Sequence, residues 1–169
     1  MKLIGSFIIF LSLSLIGKIS SNKLSKRARY INMMIEILEF VKNEISYNMT
    51  SMTELIEKIN KNIYFKKLDI CQMIYKNLLD GKSVTDSWKI SIKNSEISDF
   101  LKNDELDQIM RIGDWLGNSN IDCQISKIDS TINILKQKLK KAEVDKDKYY
   151  KIYNSLGVLS GIGLVILIW

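Results

Sequence analysis

Residues 121–156 read IDCQISKIDSTINILKQKLKKAEVDKDKYYKIYNSL, and their apolar pattern decides the fold. The apolar side chains recur in alternating steps of four and three, which places them on one face of an α-helix. The stripe comprises Ile121, Ile125, Ile128, Ile132, Leu135, Leu139 and Ala142 and continues in phase, past Lys146, to Tyr149, Tyr153 and Leu156. A helix of this length would span about 54 Å. The pattern predicts a long bundle helix packed on another helix of the chain; an intermolecular coiled coil is the alternative.

The rest of the chain also has helical spacing, and it contains no proline. A first long helix is predicted from a stripe in steps of three and four, formed by Ile31, Met34, Leu38, Val41 and Ile45. Three or four short helices are expected between residues 51 and 117, with N-caps at Ser51 and Ser83 and C-terminal stops at Gly81 and Gly117. One of these helices is predicted to begin at about Phe65. The predicted fold is therefore all-α: a membrane-anchored antiparallel helical bundle with a long C-terminal helix.

Both ends of the chain are apolar. Residues 3–17 and 152–169 carry no charged side chain, and as helices they would span roughly 23 Å and 27 Å, against ~30 Å of hydrocarbon. We predict an N-terminal transmembrane anchor at 1–18, a cytoplasmic helical bundle at 19–151 and a C-terminal transmembrane segment at 152–169. A cleaved signal peptide is the alternative for the first segment.

The charges indicate a membrane surface rather than nucleic acid as partner. The net charge is +6, and the excess lies beside the two apolar ends, whereas residues 30–135 hold 12 basic and 16 acidic side chains. The predicted membrane-surface cluster is Lys18, Lys23, Lys26, Arg27 and Arg29. Because basic residues flank both anchors on their inner sides, we predict that both termini lie outside and that residues 18–151 lie in the cytoplasm.

The composition argues against catalysis and against a metal or cofactor site. The chain has no histidine and only two cysteines, Cys71 and Cys123. It therefore lacks the commonest general base, and it has too few thiols for a Cys₄ zinc site. Ser20 and Lys23 have the spacing of a Ser-Lys hydrolase, but no other catalytic motif accompanies them, and no phosphate-binding loop is present. We predict a protein that is not an enzyme and that binds no cofactor.

Several segments of the chain have a recognisable pattern: SLGVLSG at 155–161, RARYI at 27–31, and Glu44, Thr50 and Glu54. In these residues the chain resembles a known family, stage III sporulation protein AB of endospore-forming bacteria. We expect structural roles for a set of matching residues: Tyr47, Trp88, Gly113, Gly117, Gln124, Gly157 and Gly161. The sequence departs from the family pattern at Asn48, Ser51 and Met52, where the family has Gly, Pro and Leu.

The resemblance implies a component of a sporulation-specific, type II secretion-like channel assembly between mother cell and forespore. The family in turn resembles the cytoplasmic domain of the type II secretion platform protein, which couples to a secretion ATPase. Expected partners are therefore the lipid bilayer, such an ATPase, other membrane components of the assembly and, as an option, a second copy of the chain. The predicted location is the mother-cell membrane around the forespore. A small membrane signalling protein is the alternative function.

The charge pattern suggests where a soluble partner would bind. Acidic side chains exceed basic ones in the middle of the chain, which we expect to be remote from the bilayer. The candidate partner-binding residues are Asp86, Asp99, Asp104, Asp107 and Asp114.

Overall fold

The computed structural model describes residues 2–48, 50–117 and 120–168, and those residues form helices, turns and no strand. The all-α fold is confirmed. The helices are α1 (Lys2–Asn48), α2 (Met52–Lys61), α3 (Asp69–Leu79), α4 (Val84–Asn94), α5 (Ile97–Phe100), α6 (Asn103–Met110), α7 (Ile112–Trp115) and α8 (Ile121–Ile168), with a 3₁₀ turn at Phe65–Lys67.

The short helices are capped at the residues predicted from the sequence. The Ser51 hydroxyl accepts a hydrogen bond from the Glu54 amide before α2, and the Ser83 hydroxyl accepts one from the Asp86 amide before α4. Gly81 has a φ of +81°, the left-handed conformation that a glycine adopts after a helix at little steric cost.

The short helices differ from the prediction at three places. The helix predicted from Phe65 begins only at Asp69, because Leu68 is extended and a separate 3₁₀ turn precedes it. The last predicted short helix is split at Arg111 into α6 and α7. The additional single-turn helix α5 precedes them and ends where Leu101 becomes extended. The hydrophobic period does not reveal such breaks, since one tightened turn keeps the apolar side chains on nearly the same side.

The chain divides into two compact units. Unit 1 contains the residues up to Arg29 and those from Lys140 onward, and unit 2 is Tyr30–Leu139. Both borders fall within the predicted 19–151 segment, whose division from the apolar ends stays a prediction. Unit 2 therefore contains the C-terminal part of α1, the short helices α2–α7 and the first part of α8.

Unit 2 has a continuous apolar core. In unit 2, α1 and α8 run antiparallel, as the ion pairs Lys42–Asp129 and Glu39–Lys136 show. Fully buried side chains come from both long helices and from α2–α7: Ile31, Met34, Leu38, Leu55, Ile70, Ile92, Ile109, Ile112, Ile128 and Leu135. An apolar cavity of about 20 Å³ lies among α1–α4 and is lined partly by Cys71. Burial raises the pKa of the Cys71 thiol to about 12, so this cysteine acts as a small apolar side chain.

The stripe of α8 is buried only along its middle. Ile128, Ile132, Leu135 and Ala142 are buried, which confirms packing within the chain for that stretch. At the two ends of the stripe Ile121 is 43% exposed and Leu156 is 55% exposed. The periodicity thus gives the correct face of the helix, but it does not show where along the helix a packing partner is present.

Among the residues that the structure describes, none of the helices combines the length and the hydropathy needed to traverse a bilayer. The two predicted transmembrane anchors are thus not identified as membrane spans. Their outermost residues, Met1 and Trp169, lie outside the described residues.

Leu135 provides a test of the assigned core face. Its side chain has no exposed surface, so Leu135→Asp would bury an unpaired carboxylate and should lower the free energy of unfolding by roughly 3–5 kcal/mol. The control is Gln137→Asp, two residues along the same helix at an exposed position. Urea unfolding followed by circular dichroism measures both variants, and equal losses of stability would contradict the assigned face.

Candidate functional site

The turn between α1 and α2 is held by an ion pair and a threonine hydroxyl. Glu44 Oε2 accepts a hydrogen bond from Lys58 Nζ at 2.7 Å and one from Thr50 Oγ1 at 2.8 Å. These bonds stabilise the carboxylate, so the pKa of Glu44 is lowered, and the pKa of Lys58 is raised mainly by the bond to Glu44. Ser51, which stands where the family has proline, caps the N-terminus of α2.

Tyr47 lies beside this turn but takes a different position. Its side chain is 83% exposed, and it stands at the rim of a polar groove of about 450 Å³ between α1 and α8 in unit 2. Two ion pairs bridge the groove: Lys42–Asp129 at 2.7 Å and Lys136–Glu39 at 3.0 Å. Because each pair joins one positive and one negative side chain, the two pairs add no net charge to the groove.

Trp88 and Gly113 form a close contact between α4 and α7. The Trp88 indole N–H donates to the Ile109 carbonyl at 2.7 Å, and the Thr85 hydroxyl donates to the Gly113 carbonyl at 2.7 Å. A Cβ atom at residue 113 would stand 2.9 Å from Trp88 Cδ1. Glycine is therefore required at 113, because any side chain would displace the indole.

Gly117 and Gln124 connect the short helices to the start of α8. Gly117 has a φ of +81°, and its amide donates to Gln124 Oε1 at 3.2 Å. Gln124 is buried, so its amide group takes part in fixing this turn. Asn118 and Ser119, which follow Gly117, lie outside the described residues, and Gly157 and Gly161 lie within α8. Four of the matching residues, Trp88, Gly113, Gly117 and Gln124, thus lie at contacts that join α4, α7 and the start of α8 in unit 2.

The five candidate aspartates differ in their side-chain partners. Asp104 pairs with Lys138 of α8, and the hydrogen bond from that lysine lowers the pKa of the Asp104 carboxyl. Asp114 pairs with Lys89 at 2.5 Å. Asp86 Oδ2 accepts a hydrogen bond from the N-cap serine of α4. Three of the five therefore have an intramolecular role already.

Asp99 and Asp107 are the remaining two, and both are exposed. Asp99 lies on α5, which is placed by Tyr30: the phenol donates to Glu96 at 2.8 Å and its ring stacks on Phe100 at 5.7 Å between centroids. Asp107 lies one turn beyond Asp104 on α6. The part of the acidic set that is most open to a partner is therefore on α5 and α6.

The basic cluster on α1 is split by burial. Lys18, Lys23, Lys26 and Arg29 are exposed, whereas Arg27 is 6% exposed and donates to Asp145 Oδ2 of α8 at 2.7 Å. From the sequence, Arg27 is predicted to belong to the membrane-surface cluster. Its pairing with Asp145 is not foreseeable there, because the two residues are 118 positions apart and no local pattern connects them. Arg27 thus contributes to the packing of unit 1 rather than to the exposed cluster.

Among the described residues, no three His, Cys, Asp or Glu side chains are grouped so that they could hold a metal ion. What the structure does bring together are interhelical ion pairs, a tryptophan–glycine contact and capped turns. These features define the class of the protein as an all-helical bundle.

The particular family follows from comparison with known sequences. Residues 2–169 match stage III sporulation protein AB, and the chain belongs to that family. A role in sporulation follows from the membership. No curated protein and no solved structure matches the chain.

The Trp88–Gly113 contact predicts a steric effect. Gly113→Ala should lower the free energy of unfolding by about 1–3 kcal/mol, because the added methyl group collides with the indole. The matched control is Gly163→Ala in α8, where a Cβ meets no atom within 4 Å and alanine should be neutral or slightly stabilising. Denaturant unfolding compares the two variants; unchanged stability of Gly113→Ala would refute the contact.

The Glu44–Lys58 pair predicts a pH dependence. Because folding lowers the pKa of Glu44, its stabilising effect is complete above the unfolded value, about 4.3, and is lost as the pH falls through the lower folded-state value. Glu44→Gln should therefore lower the urea midpoint at neutral pH, and the difference should close in acid. Asp107→Asn, at an exposed site on α6, is the control. A difference that is the same at both pH values would contradict the assigned cause.

Proposed function

We propose that this chain is a non-enzymatic platform component of a sporulation-specific, secretion-like channel complex between mother cell and forespore. It would couple the membrane to a cytoplasmic secretion-type ATPase. Family membership over residues 2–169 is the observation that carries the proposal. The packing of unit 2 supports it, because the clusters described there hold helices together and leave exposed surfaces for other proteins.

Membrane association forms part of this proposal and rests on the surface of unit 1. Large apolar side chains are exposed on both of its helices, on α1 at Leu11, Leu15, Ile16 and Ile19 and on α8 at Ile152, Leu156, Leu159, Ile162 and Ile166. A soluble monomer rarely exposes so extended an apolar surface. We propose that both apolar ends are anchored in the mother-cell membrane around the forespore, with unit 2 in the cytoplasm.

The partner surface of unit 2 is proposed on α5 and α6. Unit 2 has 14 basic and 16 acidic side chains, whereas unit 1 has 11 basic and only three acidic ones. Basic side chains beside a membrane are engaged by anionic headgroups, so a soluble ATPase would meet the acidic side chains of unit 2 more readily. Asp99 and Asp107 are exposed. The structure shows side-chain partners within unit 2 for the other three members of the acidic set.

A charge reversal tests this surface. Asp107→Lys should weaken association with the proposed secretion-type ATPase, and the loss should be larger at low salt, because charge complementarity mainly sets encounter rate and specificity. Asp80→Lys gives the same change of net charge at the exposed C-cap of α3, where a lysine is tolerated. Pull-downs from sporulating cells compare the two variants, and equal retention of the ATPase by both would rule out the proposed surface.

A further inference from the structure

The register of unit 1 is set by the ion pair between Arg27 and Asp145. Gly17 and Ser21 of α1 are buried, and the described part of unit 1 consists only of α1 and α8. Residues of α8 beyond Asp145 must therefore cover the part of α1 that precedes Arg27. The two helix segments run antiparallel from the ion pair toward the two chain ends.

This register brings the polar-to-apolar boundaries of both helices to the same level. At 1.5 Å per residue, Ile19 and Tyr153 each lie about 12 Å from the ion pair along their own helices. Lys23 lies about 6 Å from it, and Lys148 and Lys151 lie about 4.5 Å and 9 Å from it. Beyond this level the exposed side chains of both helices are largely apolar.

Basic and aromatic side chains are concentrated at this boundary. We call the set the interface belt, and it consists of Lys23, Lys148, Tyr149, Tyr150, Lys151 and Tyr153. Tyr150 and Tyr153 are 39% and 40% exposed. The Tyr149 and Tyr153 rings stack at 6.0 Å, and Lys148 Nζ lies 5.1 Å from the centre of the Tyr149 ring.

The belt has a strong excess of positive charge. Residues 17–29 contain no acidic side chain, and residues 146–153 contain only Asp147. The nearby Asp145 is occupied by Arg27. Tyrosines with an apolar ring and a polar hydroxyl are enriched at the headgroup level of membranes, and lysines there are attracted to anionic lipids.

We infer that the interface belt binds the headgroups of anionic phospholipids. The inference rests on the proposed membrane association and adds to it the class of lipid and the residues that select it. The lysines supply the charge that distinguishes an anionic from a zwitterionic headgroup, and the tyrosine hydroxyls supply hydrogen bonds at the same depth. A second copy of the chain fits this surface less well, because like charges would face one another.

Lipid selectivity can be measured on the full chain reconstituted in phosphatidylcholine vesicles. Electron paramagnetic resonance of a trace spin-labelled lipid gives the fraction in contact with the protein, for phosphatidylglycerol and for phosphatidylcholine. We expect phosphatidylglycerol to be preferred, with a preference that shrinks at high salt. The triple variant Lys23→Gln, Lys148→Gln, Lys151→Gln should lower the preference at least about fivefold.

The matched control removes the same number of charges from unit 2, in Lys66→Gln, Lys76→Gln, Lys93→Gln, and should keep the preference. An unchanged chain that holds both lipids equally, or a belt variant that keeps its preference, would overturn the inference while leaving membrane association intact. Chemical crosslinking of the same samples detects dimers of the chain. A belt variant that mainly loses these dimers would also overturn the inference, because the belt would then be a contact between two copies. A chain that does not enter the vesicles at all would overturn the proposed membrane association as well.

Discussion

The packing of the α8 stripe against α1 is the constraint on which unit 2 depends. Ile31, Ile128 and Leu135 have no exposed surface, and burying a side chain of that size contributes about 1.5–3 kcal/mol. The short helices α2–α7 lie between these two helices in sequence. They are individually too short to be stable, and their helical state therefore depends on this packing and on their caps.

Contacts between individual residues then position the short helices. Gly113 lets Trp88 approach α7, and the turn at Gly117 reaches Gln124 of α8 through one hydrogen bond. These residues were assigned structural roles from the family resemblance, and the contacts give the physical reason for that role. Tyr47 differs from them, since it is exposed and holds nothing in place.

The features that could be predicted from the sequence are those that depend on residues close to one another along the chain. The apolar faces of α1 and α8, the serine caps and the left-handed Gly81 all follow from spacing or from intrinsic backbone preference. The breaks around Arg111 and the pairing of Arg27 with Asp145 or of Lys138 with Asp104 do not, because they require the register between distant helices. Lys138 lies off the apolar stripe, yet its side chain is only 18% exposed, owing to the helix that carries Asp104.

The central claim is that the apolar, basic ends lie at the membrane and that unit 2 lies in the cytoplasm. Labelling of an engineered cysteine tests this most directly. Asn94→Cys provides an exposed site at the end of α4, in a Cys123→Ser background that leaves only the buried Cys71. In vegetative cells that produce the chain in the plasma membrane, which faces the medium, a membrane-impermeant maleimide should label residue 94 only after permeabilisation. Equal labelling of intact cells would place unit 2 on the other side of the membrane and contradict the account.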